Sequence, residues 1–322
     1  MNSINIGMRS RGEGWYRLET VRQDGSVSQD TGWFHNLITD QGCDQRFNPP
    51  VYNTEYGVRY LNTHCAVGDG SAAPSATDSQ LASRVANFPS SPASNVQGGT
   101  TTFVDGSQPY WKTVWTYTFP VGAAAGNLTE VGVGGMLNGD TEVRLFSRAL
   151  IVDGVGDPTT ISPASDESLR VTYELREYID TGDAAYSFDM EGVTYSGTLR
   201  RCDIDSPPGN LDQAISRGPF ENIALYVYNG SIGTAYNNPT GTQGGGVNDS
   251  SISQQAYAAP NKYRDFTCHF GLSNGNLSGG ITAIKISSPV GSWQMSVSPA
   301  IPKDGTKQMD LNFRIAWDRY TP

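Results

Sequence analysis

The chain has few charged residues and no long apolar run. Charged residues make up 17% of its 322 positions, and no stretch approaches the roughly 18 consecutive apolar residues typical of a membrane-spanning helix. Residues 1–15 lack the apolar core of a secretory signal peptide. We therefore expect a soluble chain without a membrane span, made in a cytosol.

The charge that is present is mostly negative. Lys and Arg number 22, whereas Asp and Glu number 32, which gives a formal net charge of −10. No run of five or more basic residues interrupts this balance. Because an acidic surface repels phosphate backbones, the composition argues against nucleic acid as a partner.

Cysteine and histidine are also scarce. The four cysteines are widely spaced: Cys43, Cys65, Cys202 and Cys268. The three histidines are equally scattered: His35, His64 and His269. Neither set has the paired spacing of a metal site, so we expect structural histidines and no metal or other cofactor. Two disulfides are possible, but a chain of this length can build a core without them, and we expect four reduced, mostly buried cysteines.

Helical periodicity is nearly absent. The best candidate is Ser75–Asn87, where Thr77 or Asp78 is a suitable cap for a short helix that carries Leu81 and Val85. We therefore expect little helix.

The residues that are abundant indicate an all-β fold. Glycine and proline together are about one residue in six, above the roughly 12% of an average protein. Apolar and polar residues alternate in Tyr110–Phe119, Leu169–Tyr178 and Met309–Trp317, as in antiparallel strands with one wet face. We predict an all-β chain of two antiparallel β-sandwich (jelly-roll-like) units.

An internal repeat supports two units. Three pairs of segments resemble one another in the same order: 32–37 and 218–223, 110–119 and 263–272, and 161–175 and 301–315. The predicted segments are an N-terminal docking arm or hairpin (1–31), a first β-sandwich (32–201), a linker (202–217) and a second β-sandwich (218–322). Asp24-Gly25 is a suitable hairpin turn, and Pro207-Pro208-Gly209 suits a linker.

Residues with catalytic potential are not arranged in a recognisable motif. The sequence has no G-x-S-x-G element for a serine nucleophile. Paired carboxylates can hydrolyse a glycoside, and Glu174 with Glu177 is one such pair in sequence. Glu174 alternates with an apolar face, so we expect it to be solvated. We predict no catalytic residues and a protein that is not an enzyme.

Six tryptophans are candidates for contacts with a partner or a sugar. Alternation places three of them on core faces: Trp111, Trp115 and Trp317. The remaining three are the candidate partner contacts, because exposed aromatic residues often anchor interfaces: Trp15, Trp33 and Trp293.

Several segments together resemble a known group of proteins. Gly32–Gly42 (GWFHNLITDQG) resembles the F-x-N-L-I-x-x-x-G opening of minor structural proteins from tailed bacteriophages. Further segments are similar to the same proteins in the same order: 67–74 with 77–81, 127–133, 145–149, 161–163 and 169–176. The resemblance covers about residues 30–180 and, more weakly, the second unit.

This resemblance implies a non-catalytic structural component of a bacteriophage virion. Such a protein would lie in the tail, collar or fibre-attachment region, link other virion proteins, form a homo-oligomer or join a ring, and be assembled in the bacterial host cytoplasm. A module that binds a host-surface glycan is the alternative. A polysaccharide depolymerase is a further, less favoured one.

Overall fold

The computed structural model describes residues 6–47, 64–87, 96–136, 142–207, 223–248, 251–288 and 290–320. Within these ranges the chain forms twenty β-strands, numbered β1 to β20, and one α-helix, α1 (Asp40–Phe47). The predicted all-β class with little helix is therefore confirmed. No helix in these ranges is both long and apolar enough to cross a membrane.

The largest sheet, called here the large sheet, has nine strands. Seven of them lie in the spatial order β16 (Ile252–Gln254), β17 (Tyr263–Phe270), β20 (Met309–Arg319), β1 (Ile6–Val21), β11 (Ser168–Tyr178), β8 (Tyr110–Phe119) and β7 (Val96–Val104). Two short strands also pair with β1: β2 (Val27–Asp30) and β3 (Phe34–His35).

Two smaller sheets complete the fold. The five-strand sheet has the order β4 (Leu37–Ile38), β10 (Arg144–Leu150), β9 (Glu130–Gly135), β5 (His64–Gly68) and β6 (Arg84–Asn87). The six-strand sheet has the order β12 (Ala184–Met190), β13 (Val193–Cys202), β19 (Gly291–Ile301), β18 (Ile281–Ser288), β14 (Ala224–Tyr228) and β15 (Gln243–Asn248).

The alternation predicted in β8, β11 and β20 is confirmed by burial. Tyr117, Val171 and Ile315 are fully buried members of the three apolar faces. These faces join one apolar cluster that also contains Val133 of the five-strand sheet and Ile286 of the six-strand sheet. Because burying one large apolar side chain stabilises a fold by about 1.5–3 kcal/mol, this shared core holds the three sheets together.

The repeat predicted from the sequence corresponds to a repeat of topology. β8 and β11 are neighbours in the large sheet, while β9 and β10, which lie between them in the chain, pair in the five-strand sheet. β17 and β20 are likewise neighbours in the large sheet, while β18 and β19 pair in the six-strand sheet. The two runs of four strands, β8–β11 and β17–β20, therefore have the same plan. The first and last strands are neighbours in the large sheet, and the two middle strands pair with each other in a smaller sheet.

The N-terminal strand β1 lies inside the large sheet, between β20 and β11. It is antiparallel to β11 and parallel to β20, so the large sheet is mixed rather than wholly antiparallel as predicted. β1 and β20 lie at opposite ends of the chain, and no tight turn connects them. Because a tight turn is what forces two neighbouring strands to run antiparallel, this pair can be parallel. β1 and β2 form the predicted hairpin across Asp24-Gly25.

Strands from both predicted sandwich units share the large sheet, and β13 of the first unit pairs with β19 of the second. The sheets therefore do not follow the boundary predicted at 202–217. Residues 208–217 of that linker, and residues 218–222 of the repeat, lie outside the described residues. The division into a docking arm and two sandwich units stays a prediction.

The helix predicted over Ser75–Asn87 is wrong. The backbone N–H of Ser75 donates to the carboxylate of Asp78, which closes a turn, and β6 then pairs with β5. The helix that does form begins after Thr39, whose hydroxyl accepts a hydrogen bond from the Gly42 N–H at 2.9 Å. This is the N-cap interaction that satisfies a free N–H group of the first turn.

The cysteine prediction is confirmed. All four cysteines are free and buried. Burial raises the pKa of Cys43 and of Cys202 to about 12, so both thiols are protonated at neutral pH and behave as small apolar side chains. No group of three or more His, Cys, Asp or Glu side chains in the described ranges is arranged to hold a metal ion.

Candidate partner-binding surface

The outer face of the large sheet carries a continuous set of aromatic and cationic side chains. Even-numbered residues of β1 such as Tyr16 and Leu18 are fully buried, so alternation turns the odd-numbered ones outward. The register sets Trp15 opposite Glu174, and Tyr178 opposite Tyr110. We call the following set the aromatic–arginine surface: Arg11, Trp15, His35, Tyr110, Arg176, Tyr178 and Tyr320.

One end of this surface is centred on Trp15. Its indole ring lies 3.4 Å from the His35 ring, centroid to centroid, and the Arg176 guanidinium lies 4.4 Å from the indole centroid. Glu13 holds the imidazole in place, because its carboxylate lies 2.9 Å from His35 Nδ1. Contacts between a guanidinium and an indole are attractive, and they hold Trp15 half-buried at the surface.

The other end is a stack of tyrosines. The Tyr178 ring lies 3.8 Å from Tyr320 in a stacked arrangement and 5.4 Å from Tyr110. Tyr178 Oη donates to the Glu13 carboxylate at 2.6 Å. Burial and this hydrogen bond raise the pKa of Tyr178, so the phenol stays protonated. Arg11 lies over the Tyr320 ring at 5.4 Å.

The carboxylates of β11 are not arranged as their sequence spacing suggested. Glu174 is 6% exposed, so the prediction that it is solvated is wrong. Arg176 Nε lies 2.7 Å and Lys112 Nζ 3.6 Å from its carboxylate, and these long side chains cover it. Glu177 is on the opposite, core side of the strand, where it binds Arg46 Nη2 at 2.5 Å and accepts from Trp317.

The three candidate tryptophans lie in different environments. Trp15 belongs to the aromatic–arginine surface, and Trp33 is 38% exposed in the segment between β2 and β3. Trp293 is 3% exposed on β19, where the Arg201 guanidinium lies 3.9 Å from its ring centroid. Trp293 therefore belongs to the six-strand sheet and not to this surface, and the role of each in partner contact stays a prediction.

Sequence reasoning missed most of the aromatic–arginine surface. Tyr110, Arg176 and Tyr178 occupy the wet positions of two strands whose apolar positions were easily recognised. The sequence does contain one signal: these solvent-facing positions carry tyrosine and arginine, whereas lysine, glutamate or threonine is usual at exposed positions. No sequence pattern indicates Tyr320, because it follows the last residue of β20 and contacts Tyr178 only in the folded chain.

A second polar centre lies inside the five-strand sheet. Arg148 lies 2.7 Å from the carboxylate of Glu130, which is fully buried, and 2.5 Å from that of Asp78. It also donates to the Ala72 carbonyl at 2.8 Å. A buried guanidinium with two carboxylates and a carbonyl is well compensated, so we call this group the Arg148 cluster.

The Arg148 cluster joins segments that are far apart in sequence. Ala72 and Asp78 lie in the loop between β5 and β6, Glu130 lies on β9, and Arg148 lies on β10. Gly70 belongs to the same group, because a Cβ at this position would collide with the Glu130 carboxylate. The cluster therefore fixes the loop between β5 and β6 against β9 and β10.

Comparisons with known proteins give no neighbour for this chain. No protein-family model, no curated protein and no solved structure matches it significantly.

Proposed function

We propose that this chain is a non-catalytic structural component of a tailed-bacteriophage virion, in the tail, collar or fibre-attachment region, where it links other virion proteins. The ordered resemblance of its segments supports this proposal. Three of those segments, 67–74 with 77–81, 127–133 and 145–149, contribute residues to the Arg148 cluster.

The observation that carries the linking role is the aromatic–arginine surface. Binding energy at protein interfaces is concentrated in a few residues, among which Trp, Tyr and Arg are enriched. Trp15, Arg176 and Tyr178 are held by one another and by Glu13, so little side-chain entropy is lost when a partner covers them. The surface is the outer face of an extended sheet, which suits a protein partner. That partner is a second copy of the chain or another virion protein.

The test is the incorporation of the chain into particles of the phage that encodes it. We expect Trp15→Ala to reduce the copy number of the chain, measured by quantitative mass spectrometry of purified particles, to about a tenth or less, because a hot-spot residue contributes about 2 kcal/mol or more. Tyr236→Ala is the matched control, since Tyr236 is 43% exposed outside this surface. Absence of the native chain from particles, or equal incorporation of both variants, would contradict the proposal.

A host-surface glycan-binding module is the second candidate. The same half-exposed aromatic rings favour it, because sugar rings stack on indole and phenol faces. A glycan array probed with the native chain and with Trp15→Ala separates the two functions: a saturable glycan signal that depends on Trp15 supports binding, and no signal leaves only the structural role.

A polysaccharide depolymerase is the least supported candidate. Glu174 and Glu177 lie on opposite faces of β11, so this sequence pair does not form a pair across a single sugar. Release of reducing ends from host capsule by the purified chain is the observation that this candidate requires.

A further inference from the structure

A cleft lies where the large sheet meets the six-strand sheet. It has a volume of about 270 Å³, near the lower end of the roughly 300–1,000 Å³ of small-molecule sites. β1 contributes Arg9 and Arg11, β13 contributes Arg200 and Arg201, and β19 contributes Trp293.

The charge in this cleft is opposite to that of the chain. Four arginines line it, and among the described residues Asp180 is the one acidic side chain in its lining. Arg200 is paired with Asp183 at 2.5 Å, but Arg9 and Arg11 have no carboxylate within ion-pair distance in the described ranges. Although the whole chain carries a net negative charge, the lining of this cleft is positively charged.

Arg201 distinguishes this cleft from a patch of surface arginines. Its side chain is 1% exposed, and its two terminal nitrogens donate to the backbone carbonyls of Val290 and Arg9 at 2.9 and 3.1 Å. No carboxylate of the described residues pairs with it, and its Nε, like that of Arg200, is buried without a hydrogen-bond acceptor. Burial lowers its pKa to about 10, although the negative charges of Glu177 and Asp180, beyond ion-pair distance, act in the opposite direction, so it remains charged at neutral pH.

The position of Arg201 is fixed before any ligand arrives. Its guanidinium lies over Trp293, 3.9 Å from the ring centroid. Gly291, with φ +115, packs against the same group, and a Cβ there would collide with Arg201 and with Trp111. A side chain held in this way is preorganised to bind, and a buried charge without a partner gains most from an anion.

We propose that this cleft binds a phosphate-type oxyanion, either free phosphate or the phosphate group of a monoester that carries one sugar ring. Guanidinium groups match the geometry and charge of such an anion, and the excess of arginine over carboxylate favours a doubly charged one. The volume limits the ligand to a phosphate with a small substituent. Arg11 and Tyr178 belong both to this cleft and to the aromatic–arginine surface, but the inference rests on the arginines of the cleft and not on the proposed virion role.

Isothermal titration calorimetry of the full chain tests the proposal at neutral pH and low salt, with inorganic phosphate, glucose 6-phosphate and glucose as separate titrants. The variant is Arg9→Gln/Arg11→Gln, which removes two charges at the rim and no buried group. Arg22→Gln is the matched control, since Arg22 is an exposed arginine outside the cleft. Circular dichroism confirms that both variants fold.

We expect single-site binding of a phosphate titrant that weakens about tenfold or more in Arg9→Gln/Arg11→Gln and changes by less than about twofold in Arg22→Gln. Tighter binding of glucose 6-phosphate than of phosphate identifies a phosphorylated sugar as the ligand, and equal binding identifies the free anion. No saturable binding of either phosphate compound, equal effects of the variant and the control, or glucose binding as tight as that of glucose 6-phosphate would overturn the proposal.

Discussion

Arg148 and Arg201 are both buried arginines, but their surroundings differ. Arg148 meets the carboxylates of Glu130 and Asp78 within the five-strand sheet. Arg201, in the six-strand sheet, donates to two backbone carbonyls and lies over tryptophan rings, and no carboxylate of the described residues is within ion-pair distance of it. Arg148 is thus compensated by carboxylates within the structure, whereas the charge of Arg201 has no such partner among the described residues, which is why we propose that it forms part of a ligand site.

The largest effect is expected from the removal of Arg148. We expect Arg148→Met to lower the free energy of unfolding by about 3–5 kcal/mol, because it leaves Glu130 buried without a counter-charge. Urea denaturation measures this change. The double variant Glu130→Gln/Arg148→Met is the control and should recover part of the loss. A loss below about 1 kcal/mol for Arg148→Met would show that the cluster does not stabilise the five-strand sheet.

The five-strand sheet also contains an acid-sensitive group. Burial lowers the pKa of His64, the first residue of β5, to about 4, against about 6.5 in the unfolded chain. Between these values the unfolded state binds a proton that the folded state does not, so stability falls as the pH falls from 6.5 to 4. The total loss is roughly 3 kcal/mol.

Denaturation curves between pH 7 and pH 4 measure this loss. We expect His64→Gln to flatten the dependence of the unfolding free energy on pH over that interval, because glutamine does not titrate. An unchanged slope in His64→Gln would assign the acid sensitivity to other groups.

Removal of Arg201 should have a smaller effect than removal of Arg148. We expect Arg201→Met to cost about 1–3 kcal/mol, because it removes hydrogen bonds to two carbonyls but strands no carboxylate. Urea denaturation of both variants under the same conditions gives the comparison. The same variant should lose the thermal stabilisation that saturating phosphate gives the native chain. An equal cost for the two variants would contradict the distinction between a structural and a ligand-binding arginine.

The smallest expected effect is that of an exposed arginine. Arg22 lies 3.8 Å from Glu167 with its side chain 54% exposed, and such pairs are screened by solvent. We expect no measurable change in the urea midpoint for Arg22→Gln. A clear shift would show that surface charge, rather than burial, governs the effects seen at Arg148 and Arg201.

Local patterns predicted local structure well. The alternation in β8, β11 and β20 identified their buried faces, and the spacing of the cysteines agreed with four free thiols. Ser75–Asn87 was misread as a helix, because Leu81 and Val85 have helical spacing. In the structure Leu81 is buried while Val85 is 43% exposed.

The candidate sites depend on contacts that the sequence does not encode locally. Glu130 and Asp78 lie 18 and 70 positions from Arg148, so no spacing distinguishes Arg148 from Arg201. Glu174 was expected in solvent because the pattern of β11 says nothing about Lys112 of the neighbouring strand. Trp15 is a candidate from the sequence. Its contacts with Arg176 and His35, in contrast, are set by the pairing of β1 with β11 and β3.

The most direct test of the proposed linking role is cross-linking mass spectrometry of intact particles with a lysine-reactive reagent. Lys112 reports on the outer face of the large sheet, since its side chain is 36% exposed and lies beside Glu174. Lys307, in the exposed turn before β20, is the internal comparison. We predict that Lys112 cross-links to another virion protein or to a second copy of the chain more often than Lys307 does. Absence of the chain from particles, or a Lys112 that cross-links to another chain no more often than Lys307 does, would contradict the role proposed for this surface.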